Sequence, residues 1–203
     1  MSRFLAAGAL ATAFVLLLVG CATASPGGAV VWDAPSPPAG EVMAQGTVMD
    51  VGGAAELCLG PIAESYPPQC SGIPVEGWSW DGIEGWETSG DVTWGAYAVQ
   101  GRYDGSSFAV TGDPVMLALY DPMAPADPTG GEPGTADDAE VADMQDALPA
   151  LLGDSLLASY PENGWLWVDV VWDDGTLQDA ADATYGEGAV VIRSAMRAVA
   201  GGS

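Results

Sequence analysis

From residue 41 to residue 122 the apolar residues come in short β-prone runs broken by Gly and Pro, which predicts strands over 41–51, 55–59, 92–103, 106–111 and 115–120. One pair stands out as a hairpin. Tyr97 to Tyr103 leads into Asp104-Gly105, a dipeptide suited to a tight type I′ turn, and Phe108 to Thr111 returns. Five or so short strands suggest a small β-barrel or sandwich, with an OB-like barrel as the specific expectation. The pattern then changes period. Val141, Met144, Leu148, Leu151 and Leu152 recur at spacings of three and four, which marks an amphipathic helix that Thr135 or Asp137 could cap and that Pro149 should bend or end early. The run from Gly164 to Trp172 reads as a strong strand closed by Asp173-Asp174-Gly175. A short helix with a Thr176/Asp179 capping signal and Gly186 at its end follows, and then an apolar strand at 189–192. That order is β-α-β, whose short crossover favours parallel neighbours. The expected fold class is therefore α+β, a β-rich domain over 41–122 followed by a small α/β module over 137–203. The breaker-rich stretch 123–136 joins them as a linker.

The first forty residues belong to neither module. Arg3 is followed by an uncharged apolar run from Phe4 to Val19, shorter than a membrane span and ending at Gly20-Cys21, which is the grammar of an export signal over 1–20. Residues 21–40 are rich in Ala, Ser, Pro and Gly, the composition of an extended tether, although Val30-Val31-Trp32 could instead pair as a first strand.

Charge narrows the choice of partners. The chain has 203 residues with 28 acidic side chains against 4 basic ones, all arginine, and a formal net charge of −24. Loss of Arg3 with the signal makes the exported part more negative still. Nucleic acid and bare anionic lipid would be repelled. The charge either keeps an exposed protein soluble or attracts a cationic partner, and the expected partners are the membrane through a lipid anchor and a cell-wall or cationic component. The acidic residues match no calcium-loop pattern, and the sequence points to no metal and no cofactor.

With no His in the chain the Ser-His-Asp and Cys-His constellations are excluded, and with no Lys so are Ser-Lys and Schiff-base chemistry. No phosphate-binding loop or dinucleotide fingerprint is present. Catalytic residues are accordingly expected to be none, with one exception to weigh: two carboxylates alone can hydrolyse a glycoside, and Asp169, Asp173 and Asp174 cluster at the strong strand. Asp-Asp-Gly is also ordinary turn chemistry. Trp78, Trp80 and Trp86, interleaved with Asp81 and Glu84, are candidate ligand-binding aromatics for a carbohydrate, if they lie exposed and coplanar; the alternative is core filler. Cys58 and Cys70 are an isolated pair once Cys21 is set aside, and in an oxidising compartment they would form a disulfide, whose closure restricts the unfolded chain by roughly 3 kcal/mol.

Leu18-Val19-Gly20-Cys21 resembles the bacterial lipobox, and that resemblance implies cleavage before Cys21 and lipid attachment to it. The Leu-Cys-Leu-Gly, Tyr-Pro-Pro-Gln-Cys and Gly-Arg-Tyr-Asp-Gly stretches within 41–111 are similar to those of uncharacterised envelope proteins of high-GC Gram-positive bacteria, a resemblance that implies no activity and no site residue. The expectation is a non-catalytic lipoprotein, lipid-anchored on the extracytoplasmic face of the cell membrane. A carbohydrate-binding module and a carboxylate-only glycoside hydrolase are the alternatives.

Overall fold

The computed structural model describes residues 31–122, 124 and 127–199. The export segment, Cys21 and most of the expected tether lie outside the described residues.

Alternation of apolar and polar positions builds the first half. β1 (Val42–Val51) turns through Gly52-Gly53 into β2 (Ala54–Cys58); β3 (Ile73–Glu76), β4 (Trp86–Ser89), β5 (Val92–Tyr103), β6 (Phe108–Val110) and β7 (Val115–Met116) follow. The strands β1, β2, β3, β6 and β5 are hydrogen-bonded in that order, and β5 pairs back onto β1 from Val42↔Gly101 to Val51↔Val92, so the sheet closes into a five-stranded barrel. Only β3 and β6 run parallel within it. The expected small barrel is thus present, with β4 and β7 added along β5. Its core is Val42, Ala44, Val48, Leu57, Tyr97, Val99 and Phe108. So small a barrel holds two aromatic rings because glycine leaves room beside them. A Cβ at Gly95 would lie 2.6 Å from the Tyr97 ring, and one at Gly101 would lie 2.5 Å from the Phe108 ring.

The second half forms around α1 (Asp138–Leu152), β8 (Leu156–Glu162), β9 (Trp165–Val170), α2 (Thr176–Tyr185), β10 (Val190–Ser194) and β11 (Arg197–Ala198). β9 and β10 are parallel across α2, as the β-α-β order requires, and β8 adds antiparallel on the other side of β9. Leu166, Val168, Val170 and Val190 on the sheet meet Val141, Met144, Leu148 and Leu152 of α1 and Leu177 and Ala181 of α2. Both outer strands of this sheet are covered by a helix glutamine. Gln145 donates to the Ser159 carbonyl of β8. Gln178 donates to the Val190 carbonyl and accepts from the Ile192 N–H, standing in for a missing strand on β10.

Several local expectations need correction. Asp137, not Thr135, caps α1: its carboxylate accepts from the N–H groups of Ala139 and Glu140, and the Glu140 carboxylate accepts from Asp137 N–H. α1 also runs through Pro149 to Leu152, because Leu148 and Leu152 are both buried against the sheet and hold the last turn in place. The cap of α2 is not supplied by Thr176. Gly175 occupies the cap position, and the N–H groups of Thr176 and Leu177 are met by the carboxylates of Asp174 and Asp173. The loop after β5 is four residues long, Asp104 to Ser107, rather than a two-residue turn. One oxygen of Asp104 accepts from Ser106 N–H, Ser107 N–H and the Ser106 hydroxyl and draws the loop around itself. Two-residue turns with both residues at positive φ sit instead at Gly52-Gly53, between β1 and β2, and at Asn163-Gly164, between β8 and β9. β3, β4, β8 and β11 were not expected at all.

Three contacts tie the halves together. β11 pairs with β1 at Val42 and Met43, on the strand edge that β2 leaves open. Met196 and Val171 are buried in the barrel core. From Trp32 the stretch expected as a tether is fastened down: Trp32 is buried against Tyr185 and donates to the Thr184 hydroxyl, and Ser36 bonds to both Asp174 and Trp172. The described part of 124–136 is likewise laid against the second sheet, with Gly134 on Asn163, Ala136 on Gly164 and the Trp165 indole on the Glu132 carbonyl.

Candidate functional site

The two concavities that contain predicted site residues lie at different places. One is a cavity of about 690 Å³ between the β3–β4 loop and the segment carrying β7. The loop owes its course to its aromatics. Trp78 packs edge-on against Trp80 with ring centres 5.1 Å apart and planes at 80°, and tilts at 57° to Tyr97 at 5.4 Å. The Tyr97 hydroxyl reaches out of the barrel core to donate to the Glu84 carbonyl, while the Trp80 indole donates to the Asp50 carboxylate and the Trp86 indole to the Ile83 carbonyl. Burial of the Tyr97 ring raises its phenol pKa above the ordinary value. The Trp78 Nε1 is buried with no protein acceptor. Trp78 and Trp80 are half-buried and Trp86 is 44% exposed. The three tryptophans therefore form an interlocked cluster. Trp80 and Trp86 meet at 57°, so the flat shelf that a pyranose ring prefers is not formed.

The other concavity is a groove of about 860 Å³ between the barrel and the second sheet, lined among others by Gln45, Asp169, Trp172, Asp173, Arg193 and Arg197. Two of the chain's four arginines converge here. Arg193 forms an ion pair with Asp169 at 2.7 Å, and its guanidinium lies 5.0 Å from the Trp167 ring centre and 5.5 Å from that of Tyr160. Those rings are cross-strand neighbours with planes 9° apart. Arg197 donates to the Ala124 carbonyl. Asp173 accepts from Leu177 N–H, and Ser194 both accepts from Asp173 N–H and donates to its carbonyl. Asp174 accepts from Thr176 and Ser36. The Thr176 hydroxyl, its N–H and the Ser36 N–H hold that carboxyl below the usual range.

A carboxylate-only glycosidase needs one carboxyl kept protonated opposite a free carboxylate. Asp169 is neutralised by Arg193, Asp173 is engaged by a helix terminus, and Asp174 is shifted in the wrong direction for an acid. Asp169 and Asp173 both line the groove, and Asp174 does not. Arg193 and Tyr160 were missed by sequence reasoning; the signal was there in a lone arginine within an apolar strand of a chain almost devoid of positive charge.

Cys58 and Cys70 are joined in a disulfide with Cα atoms 6.1 Å apart, as their isolation predicts. Among the described residues no group of three His, Cys, Asp or Glu side chains could hold a metal, and no helix is long and apolar enough to cross a membrane. No protein-family model, no curated protein and no solved structure matches this chain.

Proposed function

We propose that the chain is a bacterial envelope lipoprotein whose Cys21 carries the lipid and whose folded part is a non-catalytic binding module. The anchor rests on the Leu18-Val19-Gly20-Cys21 motif after an uncharged apolar run. The Cys58–Cys70 disulfide is consistent with the oxidising side of the membrane, since such bonds persist there and are rare in the cytosol. The lipobox resemblance implies a diacylglyceryl group on Cys21 at the mature N-terminus, and two acyl chains hold stably where one holds marginally.

The observation that carries the non-catalytic reading is the commitment of the groove's carboxylates and of its Ser194 hydroxyl to structural partners. Asp169, Asp173 and Ser194 each have a structural partner, and none is paired as nucleophile and base. Intact mass analysis of the membrane fraction tests the anchor: the expected mature chain begins at a lipid-modified Cys21 and shifts to the soluble fraction in Cys21→Ala. A mature terminus elsewhere would overturn the proposal. The catalytic question has its own measurement. Turnover of any glycoside that is lost in Asp169→Asn and Asp173→Asn would replace the binding module with a hydrolase.

A further inference from the structure

We infer that the groove between the barrel and the second sheet is a binding site for a monovalent carboxylate carried on an apolar body, with Arg197 receiving the carboxylate. The inference deepens the binding-module reading and rests on it. At about 860 Å³ the groove has the size of a small-molecule site, and such sites are apolar walls with a few convergent polar groups. Leu59, Leu157, Ile192 and Trp172 supply the apolar surface, and the Trp172 indole N–H is taken by the Ser36 carbonyl.

The charges along the groove set the sign of the occupant. Arg193 is matched by Asp169, with two guanidinium nitrogens on one carboxylate oxygen, so its charge is balanced within the fold. Asp173 faces the start of α2, where it accepts from Leu177 N–H and where a negative charge is favoured. Among the described residues Arg197 has no such match. It is half-buried and lines the groove, and its bond goes to the Ala124 carbonyl and to no carboxylate. A carbonyl takes one of the several N–H donors of a guanidinium and leaves its charge uncompensated. Acidic side chains outnumber basic ones by 28 to 4, so a half-buried arginine without a carboxylate is the charge that the fold itself does not pair. A planar guanidinium with donors left over is the group that holds a carboxylate in a fork. The exposed Arg102 makes no such demand, because water solvates it.

The rest of the lining narrows the class. Asp169 and Asp173 stand on the same groove and repel a second negative charge, which favours a carboxylate over a phosphate dianion. The apolar walls favour a hydrocarbon substituent over a sugar, whose hydroxyls would lose water there without gaining partners. A free aliphatic acid and the C-terminus of an apolar peptide both offer this chemistry.

Calorimetry on the full exported chain compares octanoate with octanamide, and N-acetyl-Leu-Leu with its C-terminal amide. Within each pair the charge of the end group is what changes. At least one acid should bind, and at least about 10-fold more tightly than its amide, the loss expected when a charge-assisted bond is removed. Binding of octanoate assigns the site to free acids, and binding of the peptide acid alone assigns it to chain ends. Arg197→Gln should weaken that binding by about the same factor, and Arg197→Lys, which keeps the charge without the fork, by less. Arg102→Gln makes the same change of net charge outside the groove and should leave binding unchanged. Should Arg197→Gln fail to fold, the comparison of acid with amide on the parent still decides the matter. Binding of neither acid, equal binding of an acid and its amide, no loss in a folded Arg197→Gln, or an equal loss in Arg102→Gln would overturn the inference. Those results would leave a lipid-modified Cys21 and a module for another ligand standing, whereas an unmodified Cys21 would overturn the envelope proposal without touching the groove.

Discussion

Asp104 shows how much a single exposed side chain can organise. Hydrogen bonds from the backbone of Ser107 and Ser106, and then from the Ser106 hydroxyl, lower its pKa from 3.8 to about 2. Because the folded value lies below the ordinary one, the charged form favours the fold. That contribution is complete above the ordinary value and is lost as the pH falls from there through about 2. An NMR titration of the Asp104 carboxyl carbon should show its midpoint near 2, and Asp104→Asn should remove this part of the acid sensitivity. A midpoint at the ordinary value would mean that the Asp104 to Ser107 loop is not closed in this way. At Arg193 the prediction concerns shape as much as charge. The guanidinium lies against two rings and bonds to Asp169, so Arg193→Lys, which keeps the charge but not the plane, should cost about 1 kcal/mol in chemical denaturation. Full retention of stability in the lysine variant would show that the ring contacts contribute nothing.

The edge strands and the disulfide loop are decided by contacts between elements. Gln178 serves two backbone groups on β10, and Gln178→Ala leaves both without a protein partner, at an expected cost of about 1–3 kcal/mol. The same change opens the β10 edge to another chain. Concentration-dependent self-association measured by sedimentation should therefore appear in that variant and not in the parent. The Cys58–Cys70 bond closes the chain between β2 and β3 over a separation of 12 residues; its removal by paired Cys→Ala changes should lower stability by about 2–4 kcal/mol. Elements with strong local signals were legible in advance. β1, β2, β5, α1, α2, β9 and β10 all coincide with periodic or β-prone runs whose ends carry Gly or a capping carboxylate. β8 was overlooked although Asn163-Gly164 marked its hairpin, because Ser159, Tyr160, Pro161 and Glu162 break the alternation. β11 has two residues and carries no local signal; it is a strand only because β1 offers an unpaired edge there.

For the whole molecule the decisive fact is that the second half completes the first. Met196 is wholly buried in the barrel core, and Met196→Ala should cost about 2–5 kcal/mol even though it lies far from the barrel strands in sequence. Trp32 does the reverse, placing a residue from before the barrel into the core of the α/β half. A chain shortened to begin at Glu41 should lose about 3–5 kcal/mol, on the scale of removing a buried tryptophan, and calorimetry of the parent from Val31 onward should give one cooperative transition. Two separated transitions would show that β11, Met196 and Trp32 do not couple the halves.

The amino-acid sequence by itself determined whatever depends on neighbours a few residues apart or on composition. Those are the strands and helices with clean periods, the α+β class with a small barrel or sandwich first, the pairing of the two cysteines that remain, and the exclusion of His- and Lys-based chemistry; closure of the barrel came from the long-range pairing of β1 with β5. It also carried the lipobox resemblance at Cys21, which lies outside the described residues. Only the tertiary structure decided where Trp78, Trp80 and Trp86 point relative to one another, that Asp169 is neutralised by Arg193, and that the supposed spacer is fastened at Trp32. The reason is physical. Ring angles, ion pairs and strand edges are set by contacts between residues distant along the chain, and the angle of Trp78 in the Trp-rich segment is fixed in part against Tyr97 of β5.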